Sequence, residues 1–227
     1  MFYEHKFFGN SQVLGSSGQE KIRRSVFCVI GLGGTGGFAL ESLVRMGAER
    51  FMLFDYDRFE LGNFNRQLLA TDPALDKKKT DVAIERARSI NEKIKIRKFG
   101  KFDLKKSKII ADADIVIDAT DNIVTKFEIA KECRKAKVPY IFCSAQGSRG
   151  IVGVFMNYPF EKAFQLDKWK LDSKSCSSVL CPVTSLAGSL AAAQAANVIL
   201  KKPIMRAPEA LFFDIFDSRL FWKGRLG

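Results

Sequence analysis

The stretch Val26-Phe27-Cys28-Val29-Ile30-Gly31-Leu32-Gly33-Gly34-Thr35-Gly36-Gly37 decides the fold. Five consecutive apolar residues, Val26 to Ile30, read as a central parallel strand buried on both faces. The glycine-rich turn after them opens a helical pattern from Thr35 to Met46, which Gly47 ends in a C-cap position. A strand, a glycine turn and a helix in that order form a phosphate-binding fingerprint. Glycines let the backbone approach closely, while free amides and the helix dipole favour anions.

Working outward, Phe51–Phe54 gives a second strand, ending in Asp55 about 20 residues on, where an acid can take ribose hydroxyls. Thr80–Ile90 reads as a helix, Ile94–Ile96 as a weak strand and Ile115–Ile117 as a buried strand feeding a helix over Ile123–Ala136. Tyr140–Cys143 and Ile151–Met156 are strands, Leu186–Leu200 is a helix, and Leu211–Phe213 with Leu220–Trp222 make a hairpin around Asp217-Ser218. Strands alternating with helices predict a Rossmann-like, doubly wound α/β sheet, mainly parallel, with an antiparallel C-terminal extension. The expected organisation is one domain over 1–227, with an N-terminal arm (1–24), a nucleotide-binding half (25–145) and a sheet extension (146–227). Ligands of such sheets sit beyond the carboxyl ends of the strands. That places Gly31–Gly37, Asp55, Asp118–Asn122 and Ser144–Gly147 around one cleft.

The glycine fingerprint alone suggests NAD and an oxidoreductase. Asn63-Phe64-Asn65-Arg66-Gln67 changes that reading. Hydride transfer has no need of an amide and guanidinium cluster after the ribose strand, whereas splitting a triphosphate needs donors for charge in transit. Arg66 offers a fork for phosphate and Asn63 a neutral donor. Lys79, opening the next helix, adds a mobile cation. The carboxylates of Asp118-Ala119-Thr120-Asp121-Asn122, after a buried strand, suit magnesium.

In this order, Gly31–Gly36, Asp55-Tyr56-Asp57, Asn63–Gln67, Lys79 and Asp118–Asn122 resemble the ThiF/MoeB/HesA superfamily, relatives of ubiquitin-activating enzymes. The resemblance covers about Lys6 to Gly227. It implies a homodimeric, ATP-dependent adenylyltransferase that activates a carboxylate and releases pyrophosphate. The usual carboxylate is the C-terminal glycine of a ubiquitin-like or sulfur-carrier protein. Carried over to matching positions, Gly31, Gly33, Gly34, Gly36, Asp55, Asp57, Asn63, Arg66, Gln67, Lys79, Asp121 and Asn122 bind ATP. Of these, Asn63, Arg66 and Lys79 handle the triphosphate, Asp121 holds magnesium, and Asn122 lies beside the adenylated group. The alternative within the superfamily is a tRNA threonylcarbamoyladenosine dehydratase, with tRNA as partner. The N-terminal Lys6-to-Gly15 stretch and the net charge lean toward that alternative. Asp-Ala-Thr-Asp-Asn is more typical of carrier activators.

The chain departs from the superfamily pattern in two ways. It has no CxxC pair among its five cysteines, so no zinc site is expected. Where relatives present an N-terminal arginine to the partner subunit's triphosphate, this chain offers Lys6 or His5. Cys176 lies where some relatives carry a crossover-loop cysteine, and Lys174 nearby favours its thiolate. Cys181, before Pro182 at a helix start, is the other candidate nucleophile. Cys28, Cys133 and Cys143 sit in apolar contexts and read as core. The residues Ser144, Ala145 and Gly147 are small enough to leave space for a carrier tail.

Composition bounds the rest. With 47% hydrophobic and 27% charged residues the 227-residue chain is globular rather than disordered. No run reaches the ~18 uninterrupted apolar residues of a membrane span, and no signal-peptide core follows Met1, so a soluble cytoplasmic chain is expected. The single histidine, His5, excludes a His-rich metal centre. A net charge of +12, with lysines crowded over 77–108, attracts polyanions or simply solvates the surface.

Overall fold

The structure, a computed structural model, describes residues 2–164 and 178–227. Its frame is one eight-stranded sheet. The strands are β1 (Val26–Ile30), β2 (Arg50–Phe54), β3 (Lys95–Phe99), β4 (Ile115–Asp118), β5 (Tyr140–Gln146), β6 (Arg149–Phe155), β7 (Glu209–Asp214) and β8 (Phe221–Arg225). Their spatial order is β3-β2-β1-β4-β5-β6-β7-β8. The first five pair in parallel, and β6, β7 and β8 add on antiparallel. The chain winds outward from β1 in one direction through β2 and β3, then in the other through β4 and β5. The reversal between β1 and β4 leaves a crevice at the strands' carboxyl ends.

Side-chain alternation along each strand splits the core into two layers. Phe27, Val29, Phe51, Leu53, Ile115, Ile117 and Ile141 face one layer. It is closed by helices α2 (Phe8–Arg24), α3 (Gly34–Arg45), α4 (Lys79–Ile90) and α7 (Cys181–Leu200), which contribute Ile22, Leu40, Ala83 and Ala191. Cys28, Ile30, Met52, Phe54, Val116 and Phe142 face the other, beneath α5 (Ile123–Ala136) and α6 (Phe160–Phe164). Packing both faces explains why these strands carry continuous apolar runs rather than alternating ones.

Several boundaries differ from the sequence reading. The N-terminal arm is helical: a short α1 (Phe2–Lys6) precedes α2, which is two helical runs joined at Gly15, where φ is +70°. Tyr3 donates to the Gly47 carbonyl at 2.7 Å, and the Gln19 amide donates to the Tyr3 hydroxyl and the Met46 carbonyl. These contacts dock the arm on the end of α3. Met46, not Gly47, is the C-cap of α3, and Gly47 follows it at φ +87°. Helix α7 begins at Cys181, five residues before the apolar run that marks it in the sequence, because Pro182 fits its first turn. Its 20 residues are long and apolar enough to cross a bilayer by composition alone. In the fold Val183, Ala187, Ala191, Ala192 and Ala195 are fully buried.

Candidate functional site

A cleft of about 490 Å³ opens at the carboxyl ends of β1, β2, β4 and β5. Its floor is the turn after β1. Gly31 donates to the Phe54 carbonyl at 2.8 Å with φ at +89°. A Cβ on Gly36 would stand 1.8 Å from the Gly31 carbonyl oxygen, so the turn and the start of α3 touch backbone to backbone. The N-cap, Gly33, brings no side-chain cap. The first amides of α3 are therefore left to a ligand, as anion sites require.

Asp55 ties this turn to β2. One carboxylate oxygen accepts from the Leu32 amide at 2.6 Å and the other from the Asp57 amide at 2.8 Å. Burial pushes the Asp55 carboxyl above the ordinary range, against the pull of those two amides. Lys79 is buried rather than mobile. Its Nζ lies 3.2 Å from Asp57 Oδ2 and 5.9 Å from the centre of the Phe59 ring. Tyr56 and Lys101 meet at the cleft rim, with Lys101 Nζ 5.4 Å from the Tyr56 ring centre.

The Asn63–Gln67 segment divides in two. Asn63 accepts from the Glu60 amide and closes a short capping turn; it does not line the cleft. Arg66 and Gln67 do line it. Arg66 Nη1 donates to the carbonyl of Gly62 at 2.7 Å and to Asn65 Oδ1 at 2.9 Å. The Arg66 carbonyl accepts from the Thr184 hydroxyl at 3.0 Å, which fastens the segment to α7. The Thr184 methyl group in turn fills the space a Cβ on Gly34 would need. Gln67 is buried, and its Oε1 has no hydrogen-bond partner among the described residues.

Asp118 corrects an expectation. It is fully buried, and both carboxylate oxygens are taken. Oδ1 accepts from the Thr120 amide and hydroxyl and from Lys126 Nζ, and Oδ2 from the Tyr140 hydroxyl at 2.7 Å. Bonded in this way and absent from the cleft lining, Asp118 does not present its carboxylate to a bound magnesium ion. Asp121 is exposed and lines the cleft. Asn122 beside it caps α5, accepting from the Thr125 amide at 3.0 Å. Burial and the neighbouring Asp118 push the Tyr140 hydroxyl well up, so Tyr140 stays a donor. Lys126, Tyr140 and Thr184 escaped the sequence reading. Lys126 alone carried a signal: it stands four residues after Asn122, on the same helix face.

Ser144 and Ala145 line the cleft, whereas Gly37 and Gly147 do not. Gly147 donates instead to the Ser178 carbonyl. Cys28, Cys133 and Cys143 are buried core thiols, and burial raises the Cys143 thiol to about 12. Cys181 is exposed at the start of α7. Cys176 and Lys174 lie outside the described residues. Lys6 donates to the Ile90 carbonyl at 3.1 Å, at the opposite end of α4 from Lys79, and so stays away from the cleft of its own chain; His5 is exposed.

A triphosphate fits the donors of this set: the uncapped amides of α3, the Lys79 ammonium and the Arg66 guanidinium.

The family model described as "ThiF family" matches residues 9–225. The molybdopterin-synthase adenylyltransferase of Haemophilus influenzae is 33% identical over 228 residues, covering 96% of this chain and 94% of its own length. The tRNA threonylcarbamoyladenosine dehydratase of Bacillus subtilis is 36% identical over 140 residues, 60% of this chain and 55% of its own. The crystal structure of Escherichia coli MccB with ATP superposes with a TM-score of 0.79 at 19% identity, covering 99% of this chain and 72% of that one. That last likeness concerns the fold.

Proposed function

The chain belongs to the ThiF family, and on that premise we propose that this ATP-dependent adenylyltransferase activates the C-terminal carboxylate of a small ubiquitin-like or sulfur-carrier protein. The observation that carries the reading is the convergence of Arg66, Gln67, Lys79 and Asp121 on one glycine turn. It is supported by a relative of that activity aligned over nearly its full length.

In this reading the carrier carboxylate enters past Ser144 and Ala145. One carboxylate oxygen attacks the α-phosphorus, forming an O–P bond as the bond to the β-phosphate oxygen breaks, and pyrophosphate leaves with the electron pair. The amides of α3 hold the phosphate oxygens, and Arg66 and Lys79 balance the charge that moves onto pyrophosphate. The buried Gln67 amide orients the phosphates from below. Asp55 accepts the ribose hydroxyls, and Asn122 stands beside the adenylated carboxylate. Asp121 would hold magnesium, which would neutralise phosphate charge there when bound. Asn63 acts by shaping the turn that carries Arg66. The enzyme works in the cytoplasm as a homodimer, with Lys6 or His5 as the basic group near the partner's site. A Cys176 or Cys181 thiolate would then attack the adenylated carbonyl carbon, forming a thioester as the C–O bond to AMP breaks and AMP leaves.

The second reading, dehydration of a threonylcarbamoyladenosine in tRNA, rests on the Bacillus subtilis relative and the positive charge. ATP–pyrophosphate exchange separates the two. Exchange that depends on a carrier ending in glycine supports the first reading. Exchange dependent on tRNA alone replaces it with the second.

A further inference from the structure

The buried pair at the base of the cleft has no part in the chemistry above. Lys126 is 4% exposed and Asp118 is fully buried. Lys126 Nζ reaches three acceptors: the Cys143 carbonyl at 2.9 Å, the Asp118 carbonyl at 3.3 Å and Asp118 Oδ1 at 3.3 Å. An ammonium has three protons, so each is committed to the protein and none is left for a substrate. Asp118 ends β4 and Cys143 lies in β5, so one side chain joins the carboxyl ends of two neighbouring parallel strands. Lys126 also belongs to the opening of α5, where its amide donates to the Asn122 carbonyl.

We propose that Lys126, with Asp118 as its counter-ion, is a positioning residue that clamps β4, β5 and the start of α5 together, so that Asp121 and Asn122 face the nucleotide. The ion pair is costly to bury, and apolar residues of the same volume pack at least as well. Five hydrogen bonds from Lys126, Thr120 and Tyr140 converge on Asp118, three residues before Asp121, and a sixth runs from Lys126 to the Cys143 carbonyl on β5. Such a fully satisfied network fixes one geometry rather than adding stability. The placement matters because a displacement of about 1 Å in a reacting assembly costs on the order of 10²-fold in rate.

The proposal rests on the adenylation reading for its consequence, though not for its geometry. Lys126→Met alone leaves the Asp118 carboxylate buried without its cation and destabilises the fold. The informative protein is therefore the double variant Asp118→Asn/Lys126→Met, which buries no charge. It should fold with higher stability than Lys126→Met, yet lose about 10²-fold in the kcat of ATP–pyrophosphate exchange, with KM for ATP within about threefold. Lys126→Arg, which restores a buried cation, should recover most of that loss. Hydrogen exchange at the amides of Ala119, Thr120 and Thr125 should quicken at least about tenfold in the double variant, while β1 amides stay protected. A folded double variant with wild-type kcat and wild-type protection of those amides overturns the clamp. If the wild type exchanges pyrophosphate with no carboxylate at all, the functional reading falls, and the hydrogen-exchange comparison alone decides the clamp.

Discussion

Lys79 and Asp57 form an ion pair of unequal burial: the lysine side chain is 7% exposed, its carboxylate partner 48%, and Nζ lies 3.2 Å from Oδ2. The cation is thus desolvated and aimed, while its counter-ion can turn to water when a phosphate arrives. A preorganised donor of this kind costs no reorganisation at the moment of reaction.

Lys79→Met should accordingly leave the fold intact, since an exposed Asp57 does not become a buried unpaired charge. It should lower ATP–pyrophosphate exchange by about 10²–10³-fold. Asp57→Asn should cost about tenfold or less, because a pair with a half-exposed member contributes ~1 kcal/mol or below. Exchange rates measured side by side with thermal melts check both. Near-normal exchange by Lys79→Met removes that residue from the mechanism.

Arg66 separates structure from chemistry within one residue. Its carbonyl is held by Thr184, but among the described residues its guanidinium bonds within its own turn, to Gly62 and Asn65. Arg66→Ala should keep the melting temperature close to wild type and lose about 10²–10³-fold in exchange. Arg66→Lys should recover a minor share, because an ammonium lacks the planar fork. An alanine variant that unfolds, or one that exchanges normally, contradicts this assignment.

These residues show what was legible before any coordinates. The parallel strands were, because burial on both faces writes an uninterrupted apolar run such as Val26–Ile30 or Ile115–Ile117. The cleft's position followed from strand order, while Arg66, Gln67, Lys79 and Asp121, which line it, were picked out by the Asn63–Gln67 cluster and the family resemblance. Helix α2 was not legible: Gly9, Gly15 and Gly18 depress its helix propensity, and only a few residues such as Gln19 and Ile22 are buried. Nor was the division of labour among polar neighbours. Asn63 and Arg66, or Asp118 and Asp121, look alike in a motif, and only backbone direction decides which side chain reaches the cleft. Lys126 reads as one more solvated helix lysine until its acceptors are seen.

The contact between Gly36 and Gly31 yields a stability prediction that needs no substrate. Gly36→Ala places a methyl group 1.8 Å from a backbone oxygen, where no flexible side chain can yield. The turn must open, at a cost of 1–3 kcal/mol or more, the usual range for overpacking. Gly62→Ala, with nothing among the described residues within 4 Å of its Cβ, is the matched control and should melt as the wild type does. Denaturant titration of the two variants measures the difference. Equal midpoints would mean that the turn is looser than its geometry indicates.

Asp55 gives the last prediction, a pH dependence with a defined sign. Burial holds its carboxyl above the unfolded-chain value of ~3.9. The folded protein therefore takes up this proton before the unfolded chain does. The stability that Asp55 contributes is fully present below the unfolded value and is lost as pH rises through the folded one. The difference in melting temperature between wild type and Asp55→Asn should thus be more favourable to wild type near about pH 4 than near about pH 7. Nucleotide binding runs the opposite way, because only the carboxylate can accept from both the turn amides and a ribose. ATP affinity should fall on acidification from a point above the ordinary aspartate range, and Asp55→Asn should bind weakly with no such dependence. Melts across pH, paired with calorimetric ATP titrations at the same pH values, test the two slopes together. A stability difference that instead shifts toward wild type as pH rises would place the Asp55 proton on the unfolded chain first and reverse the assignment.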